Sequence, residues 1–351
     1  MDAYHNADWP ECYDLWVRHL FGSGPSEDVP IFRRVLQDVL RHIAQNKPPQ
    51  SSAKQRYVNI IDIGTGTGRV LRDLFDCISN REAFSALETS SPVTSELGFR
   101  LWGTEPSASM LARANALVTA YCRKPGDVPS HPNRSRAPPF QLGWVQCSAV
   151  DFSRTMRQTF GFRDDDPAKP GFADLIIFAA GGLGHLVSSD DVRSFLNEVA
   201  DALKPGHGRA VVSVLRELLP AGEARESVAA VEAIANADVS DAATATKGAE
   251  KPDRVDQLFR VRSLDNPDQV FVKHPPTERW DGNVRTDSFV LEVEDLEGKV
   301  LRKHNLEWKS RRFDLDTWSE ALRDAGLEVA EMIDGEIQLW YVLRRKAPLE
   351  A

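Results

Sequence analysis

Cysteine is scarce. Cys12, Cys77, Cys122 and Cys147 are the only four in 351 residues, and no Cys-x-x-Cys pair occurs. Such scattered thiols support neither a disulfide framework nor a zinc site, and they read as reduced cysteines of a cytoplasmic protein. No metal is expected. Long hydrophobic runs are missing as well, and nothing approaches the ~20 apolar residues needed to span a bilayer. The N-terminal "MDAYHNADWPECYDLW" is acidic and aromatic and has no signal-peptide pattern. Positive charge is not in excess either, because the formal net charge is -9. A nucleic-acid groove is therefore not expected as the main site, and neither nucleic acid nor a membrane is an expected partner.

What is present is alternation of strand-like and helix-like segments. Residues 1 to 50 read as helical: "CYDLWVRHLFG" and "DVPIFRRVLQDVLRHIAQN" both carry apolar residues at helical spacing. "NIIDI", "RLWGTE", "FQLGWVQ", "ADLIIFAA" and "RAVVSVL" read as strands. Helical patterns separate several of them, among them "SDDVRSFLNEVADALKPG", with Ser189 or Asp190 as its expected N-cap. Residues 79–98 and "RKPGDVPSHPNRSRAPP" read as loops. This order predicts an α/β fold with a doubly wound, mostly parallel sheet. The pattern then changes. Residues 221–251 are alanine-rich and polar, expected as a helix, a mobile insert or some of each. From Gln257 to Arg312 the alternation is that of an antiparallel meander with a turn at Glu297-Gly298. A last helix and two strands return to the α/β style. Expected boundaries are a helical cap at 1–55, a core at 56–216 and 313–351, and an insert with an antiparallel lid at 217–312.

The chemistry concentrates in "NIIDIGTGTGRVL", Asn59 to Leu71. Gly64, Gly66 and Gly68 follow a run of isoleucines and precede a helix. Glycines there let a ligand approach the backbone, and a helix start offers unpaired N–H groups. A dinucleotide fingerprint needs Gly-x-Gly-x-x-Gly and an acid ~20 residues on. Here the spacing is Gly-x-Gly-x-Gly, and the acid ending the second strand, Glu105, lies much further along. A nicotinamide dehydrogenase conflicts with that spacing.

The sequence instead resembles the class I S-adenosylmethionine-dependent methyltransferases. "DIGTGTG", "GTEPSASML", "LKPGHGRAVVSV" and "WSEALRDAGLEV" stand in that family's order, over roughly residues 56–216 and 313–346. The resemblance implies the seven-stranded Rossmann-like methyltransferase sheet and S-adenosylmethionine as cofactor. It implies that Asp62, Gly64, Thr65, Gly66 and Gly68 form the cofactor loop and that Glu105 accepts the ribose hydroxyls. Pro106 and Met110 would flank the adenine, and Ala179 and Ala180 would lie under the methionine portion. Many relatives carry an aspartate where this chain has Ser148. Ser148 with Ala149 either binds adenine or is structural.

Substrate-side candidates follow from the same resemblance. His185 is the only imidazole of the "AAGGLGHL" stretch, and is a general base, an orienting group, or a residue packed beside the next helix. Gly181 and Gly182, on the substrate side, would let the chain pass close to the cofactor. Tyr13, a second catalytic candidate, and Trp16 would close over the cofactor. Trp280, His304, Trp308 and Arg311 would line the lid, or pack in a core. The N-terminal helices and the meander are similar in placement to those of glycine and aminosugar N-methyltransferases. The expected function is methyl transfer to a small-molecule acceptor, first of all an amine nitrogen. Alternatives are an O- or S-methyltransferase, or a cofactor-binding regulator without turnover.

Overall fold

Ile60 and Ile61 are adjacent in sequence and end in different hydrophobic cores. Ile60 packs with Phe32, Leu71 and Leu74, whereas Ile61 and Ile63 pack with Phe178, Phe195 and Trp318. A strand buried on both faces has no need of alternation, which is why its sequence is a continuous apolar run. The structure is a computed structural model that describes residues 2–21, 26–46, 56–85, 97–123, 139–161, 171–220 and 258–346. The alanine-rich 221–251 stretch, the proline-rich loop and most of the loop before the second strand lie outside the described residues.

The main sheet has seven strands: β1 (Arg56–Ile63), β2 (Leu97–Thr104), β3 (Phe140–Val145), β4 (Leu175–Phe178), β5 (Arg209–Leu215), β11 (Leu327–Asp334) and β12 (Gln338–Arg345). Their spatial order is β11-β12-β5-β4-β1-β2-β3. The five strands β1 to β5 are parallel, and β12 runs antiparallel to both β5 and β11. Helices α2 (Val29–Gln45) and α3 (Arg69–Ser79) cover one face, and α6 (Ser189–Ala202) and α7 (Leu315–Asp324) the other. This is the expected doubly wound, Rossmann-like sheet. Strand order reverses between β1 and β4, so a crevice opens at their carboxyl ends, where such sheets bind ligands. The glycine loop, Glu105 and the residues after β4 all emerge there.

Two remaining core helices are α4 (Ala108–Arg123) and α5 (Phe152–Phe160). One helix start differs from expectation. The N-cap of α6 is Ser188, one residue before the expected Ser189 or Asp190. Ser188 Oγ accepts from the Asp191 N–H at 3.0 Å, and Asp191 returns its carboxylate to the Ser188 N–H at 3.2 Å. This reciprocal pair satisfies two otherwise orphaned donors and so fixes the start.

The meander forms a second sheet from β6 (Phe259–Arg262), β7 (Gln269–Lys273), β8 (Thr277–Asp281), β9 (Val284–Asp295) and β10 (Val300–Arg311). It is antiparallel with order β10-β9-β7-β6, and β8 also pairs with β9. The β9–β10 turn falls at Glu297-Gly298, where Gly298 has φ +86°. One face of this sheet packs on the N-terminal helix α1 (Trp9–Phe21): Trp9 and Cys12 meet Phe271, Phe289, Leu291 and Leu306. Before α1, a short 3-10 turn, Ala3–His5, crosses toward the core. Its Asp2 bridges Glu307 of β10, and its Tyr4 carbonyl accepts from Ser107 Oγ. The lid sheet and the N-terminal segment thus meet over the crevice.

Candidate functional site

The loop after β1 is built around Asp62. Its side chain is fully enclosed and accepts a hydrogen bond from Thr65 Oγ1 at 2.6 Å. Burial pushes its carboxyl up to about 7, against the pull of Thr65 and of Arg69. Arg69, in turn, is forked onto Asp28 at 2.7 and 3.0 Å and reaches Asp73 at 3.2 Å. Asp62 therefore holds the loop through Thr65, and an ion-pair cluster stands behind it.

The three glycines do different things. Gly64 and Gly66 have φ +60° and +55°, a left-handed backbone that favours glycine. A Cβ on Gly66 would meet only the Gly64 carbonyl, 4.0 Å away, so it would project into free space. Gly68 differs: a Cβ there would lie 2.5 Å from Val118 on α4. Gly68 thus permits close packing of α3 on α4.

Glu105 follows β2 and is buried. One carboxylate oxygen accepts from the Gly66 N–H and the other from the Ser107 N–H, each at 3.0 Å. A carboxylate oxygen can take two hydrogen bonds, so each keeps one acceptor position for a ligand. Burial raises its carboxyl above the usual range, opposed by those two N–H groups. Pro106 stands exposed next to it. Met110 does not reach that surface: it is buried with Ala3, Trp9 and Phe259 and helps seat the N-terminal segment. Ser148 closes its own turn. Its N–H donates to Asp151 at 3.0 Å and its Oγ accepts from Val150 at 3.5 Å. Ala149 is half-buried against the core beside it.

After β4, Ala179 is half-buried and Ala180 is exposed. Ala180 has φ +54°, a conformation that costs a residue with a side chain about 1–2 kcal/mol. Such strain persists where surrounding structure imposes it, often at functional sites. Gly181 and Gly182 make room for their neighbours' side chains. A Cβ on Gly181 would meet Leu215 at 2.4 Å, and one on Gly182 the Phe178 ring at 2.4 Å.

His185 lies on the 3-10 turn Gly182–His185. It is exposed, and Tyr4 and Tyr13 are half-buried. Tyr4 and Tyr13 are both within electrostatic reach of Glu105. His185 Nδ1 is 2.9 Å from the Lys309 carbonyl, which only accepts, so Nδ1 carries the proton and Nε2 keeps its lone pair. Tyr4 OH lies 3.4 Å from that Nε2. Desolvation lowers the pKa of His185, so the neutral ring predominates at neutral pH.

Several lid candidates are fastened elsewhere. Trp16 and Trp308 pack 5.8 Å apart around the buried Lys273, whose ammonium is 4.4 Å from the Trp16 ring centre. They clamp the lid sheet to α1. His304 pairs with Asp8 at 2.9 Å, and Trp280 stacks under the Arg312 guanidinium at 4.4 Å. Arg311 donates to Ser189 Oγ at 3.0 Å beside a cavity of about 20 Å³, room for one water at most. A larger cavity of about 240 Å³ lies between α4 and β6–β7 and contains neither Glu105 nor His185. Its Asp8, Glu11, Arg113 and Asp265 are all engaged with protein partners.

The sequence did not single out Tyr4, Asp14 or Asp287. Asp14, within "YDLW", ties α1 to both sides of the crevice: Thr67 of the glycine loop donates to it, and so does Arg113 Nε at 2.6 Å. Among the described residues no group of histidine, cysteine or carboxylate side chains is disposed to hold a metal, and no helix is long and apolar enough to cross a membrane.

No described protein family and no curated protein matches the chain by sequence. Solved structures do match. The chain is similar to methyltransferase structures. An S-adenosylmethionine-dependent methyltransferase from Clostridium acetobutylicum aligns over 96% of this chain and 100% of its own, at 12% identity and TM-score 0.49. DesVI of Streptomyces venezuelae aligns over 95% and 96%, at 17% identity and TM-score 0.48. The sugar N-methyltransferase KedS8 of a Streptoalloteichus species aligns over 95% and 93%, at 16% identity and TM-score 0.48.

Proposed function

We propose that the protein is an S-adenosylmethionine-dependent methyltransferase acting on the amine nitrogen of a small molecule. One observation carries the reading. At the carboxyl ends of β1, β2 and β4 stand a buried carboxylate with open acceptor positions, Glu105, and an imidazole, His185, whose Nε2 meets only the weakly held Tyr4 hydroxyl at 3.4 Å.

The residues present fit the cofactor. Gly66 leaves free the space that a side chain would fill, and Glu105 offers acceptors suited to a ribose diol. Asp62 and the loop N–H groups suit the amino-acid end, and Ala180 presents a small exposed surface beside them. When bound, S-adenosylmethionine supplies an electrophilic methyl group whose bond to sulfur breaks, its electron pair returning to sulfur, as the acceptor's lone pair forms the new bond. The chain's own residues then have three tasks. The crevice orients the two reactants, the lid and the N-terminal segment limit water, and His185 Nε2 takes the proton that the methylated nitrogen releases.

The test has two arms. Thermal shift with S-adenosylmethionine, S-adenosylhomocysteine and NAD should show stabilisation by the first two alone. Tritiated-methyl transfer to amine, phenol and thiol panels should then label amines. Binding without label in any panel would favour the regulator reading, and stabilisation by NAD alone would overturn the cofactor.

A further inference from the structure

Asp287 lies on β9 directly across from Trp308 of β10. Two residues further along β10, Ser310 abuts Gly184, in the turn that carries His185. Asp287 is therefore on the face of this sheet turned toward the turn that carries His185. Its side chain is only 8% exposed. Both of its contacts fall on one oxygen: Oδ2 accepts from Trp308 Nε1 at 2.7 Å and lies 3.1 Å from Arg285 Nε. Among the described residues, Oδ1 has no hydrogen-bond partner, and it is not among the sealed atoms. A carboxylate so placed has one oxygen fixed and the other left open.

Its surroundings keep that oxygen in demand of a donor. Arg285 spends its charge on Glu217 at 2.7 Å as well as on Asp287, with Glu278 3.9 Å away. Three carboxylates thus share one guanidinium, while the nearby Arg312 is stacked on Trp280. His185 lies within electrostatic reach of both Arg285 and Asp287.

We propose that Asp287 selects the acceptor, its Oδ1 accepting a hydrogen bond from the acceptor's amine N–H. The inference rests on the amine methyltransferase reading and assigns the group that enforces it. The selection has a physical basis. A neutral amine gains positive charge as it is methylated, and a fixed carboxylate beside it stabilises that charge. A hydroxyl must lose its proton to become a strong nucleophile, and a neighbouring carboxylate opposes the resulting negative charge.

The test uses the full chain, tritiated-methyl S-adenosylmethionine, and paired probes: 2-, 3- and 4-amino-deoxyglucoses against glucose. Asp287→Asn is the main variant, since its amide oxygen can still accept from Trp308. Calorimetry with S-adenosylhomocysteine checks that the cofactor site is intact. The expected result is at least a tenfold rise in KM for the amino sugars, a smaller fall in kcat, and S-adenosylhomocysteine affinity within twofold of wild type. An unchanged KM overturns the role of Asp287, as does a parallel loss of cofactor affinity. Wild-type labelling of glucose in preference to the amino sugars overturns instead the amine reading, whatever the variant does.

Discussion

Tyr4 meets His185 edge-on, with ring centres 5.6 Å apart at 86° and its hydroxyl 3.4 Å from Nε2. The contact joins the N-terminal segment to the loop after β4, across the crevice. It gives the imidazole a neighbour that the acceptor can displace, because a hydrogen bond at 3.4 Å is long and weak.

His185→Ala should lower turnover by about 10²–10⁴-fold with nearly unchanged cofactor affinity, the usual cost of losing a general base. The pH dependence has a defined sign. Desolvation lowers the pKa of His185, so its active, neutral form accumulates as pH rises through a value below the ordinary histidine value, a limb separate from the one set by deprotonation of the acceptor's own amine. That acidic limb should vanish in His185→Ala. Tyr4→Phe, which keeps the ring contact, should retain the limb and lose only a few-fold in rate. An identical pH–rate profile in wild type and His185→Ala would return the histidine to a packing role.

Gly66→Val and Gly68→Ala should fail in opposite ways. A side chain at Gly66 projects into free space, so Gly66→Val should abolish S-adenosylmethionine binding. Its left-handed backbone adds a stability cost of about 1–2 kcal/mol. At Gly68 the new methyl would press on Val118, so Gly68→Ala should cost a further ~1–3 kcal/mol for overpacking. Denaturant midpoints and calorimetry on both variants separate the roles. Wild-type affinity in folded Gly66→Val protein would remove the loop from the ligand.

Glu105→Gln should weaken S-adenosylmethionine and S-adenosylhomocysteine alike, since both carry the same ribose. Both oxygens of Glu105 already accept from backbone N–H groups. An amide can satisfy only one of them and turns its NH₂ on the other, so the isosteric change should disturb the loop as well. A loss on the order of 1.5–3 kcal/mol is expected, from hydrogen bonds to a charged group. Titration calorimetry giving equal affinities for variant and wild type would argue against the ribose role.

How much of this was legible depended on whether the signal was local. The run Ile60, Ile61, Ile63 announced a strand buried on both faces, and the acid closing the next strand marked Glu105. Contacts between distant segments left no mark in the sequence. Tyr4 and His185 are 181 residues apart, and Thr67 and Asp14 are 53. The packing role of Gly181 and Gly182 was hidden for another reason. A glycine that makes room for Leu215 or Phe178 looks the same in sequence as one that makes room for a ligand. Trp16 and Trp308 were visible as lid aromatics, but only the fold reveals that Lys273 lies between them.

Asp62→Asn offers a test that needs no acceptor. Burial holds the Asp62 carboxyl at about 7 in the folded chain, against about 3.9 for an unperturbed aspartate. The folded state therefore binds a proton more tightly than the unfolded state. Its contribution is fully present below about pH 4 and is lost as pH rises through 7. The asparagine variant cannot titrate there, yet its amide oxygen can still accept from Thr65 Oγ1. Relative to Asp62→Asn, the wild type should lose about 3–4 kcal/mol of stability between pH 4 and 8, at 1.36 kcal/mol per pKa unit. Urea unfolding of both proteins across that range measures the difference directly. If the two stability curves run parallel, the carboxyl is not strained by burial. If the gap closes when S-adenosylmethionine is added at pH 8, the cofactor's ammonium offsets the buried charge, as expected if Asp62 serves its amino-acid end.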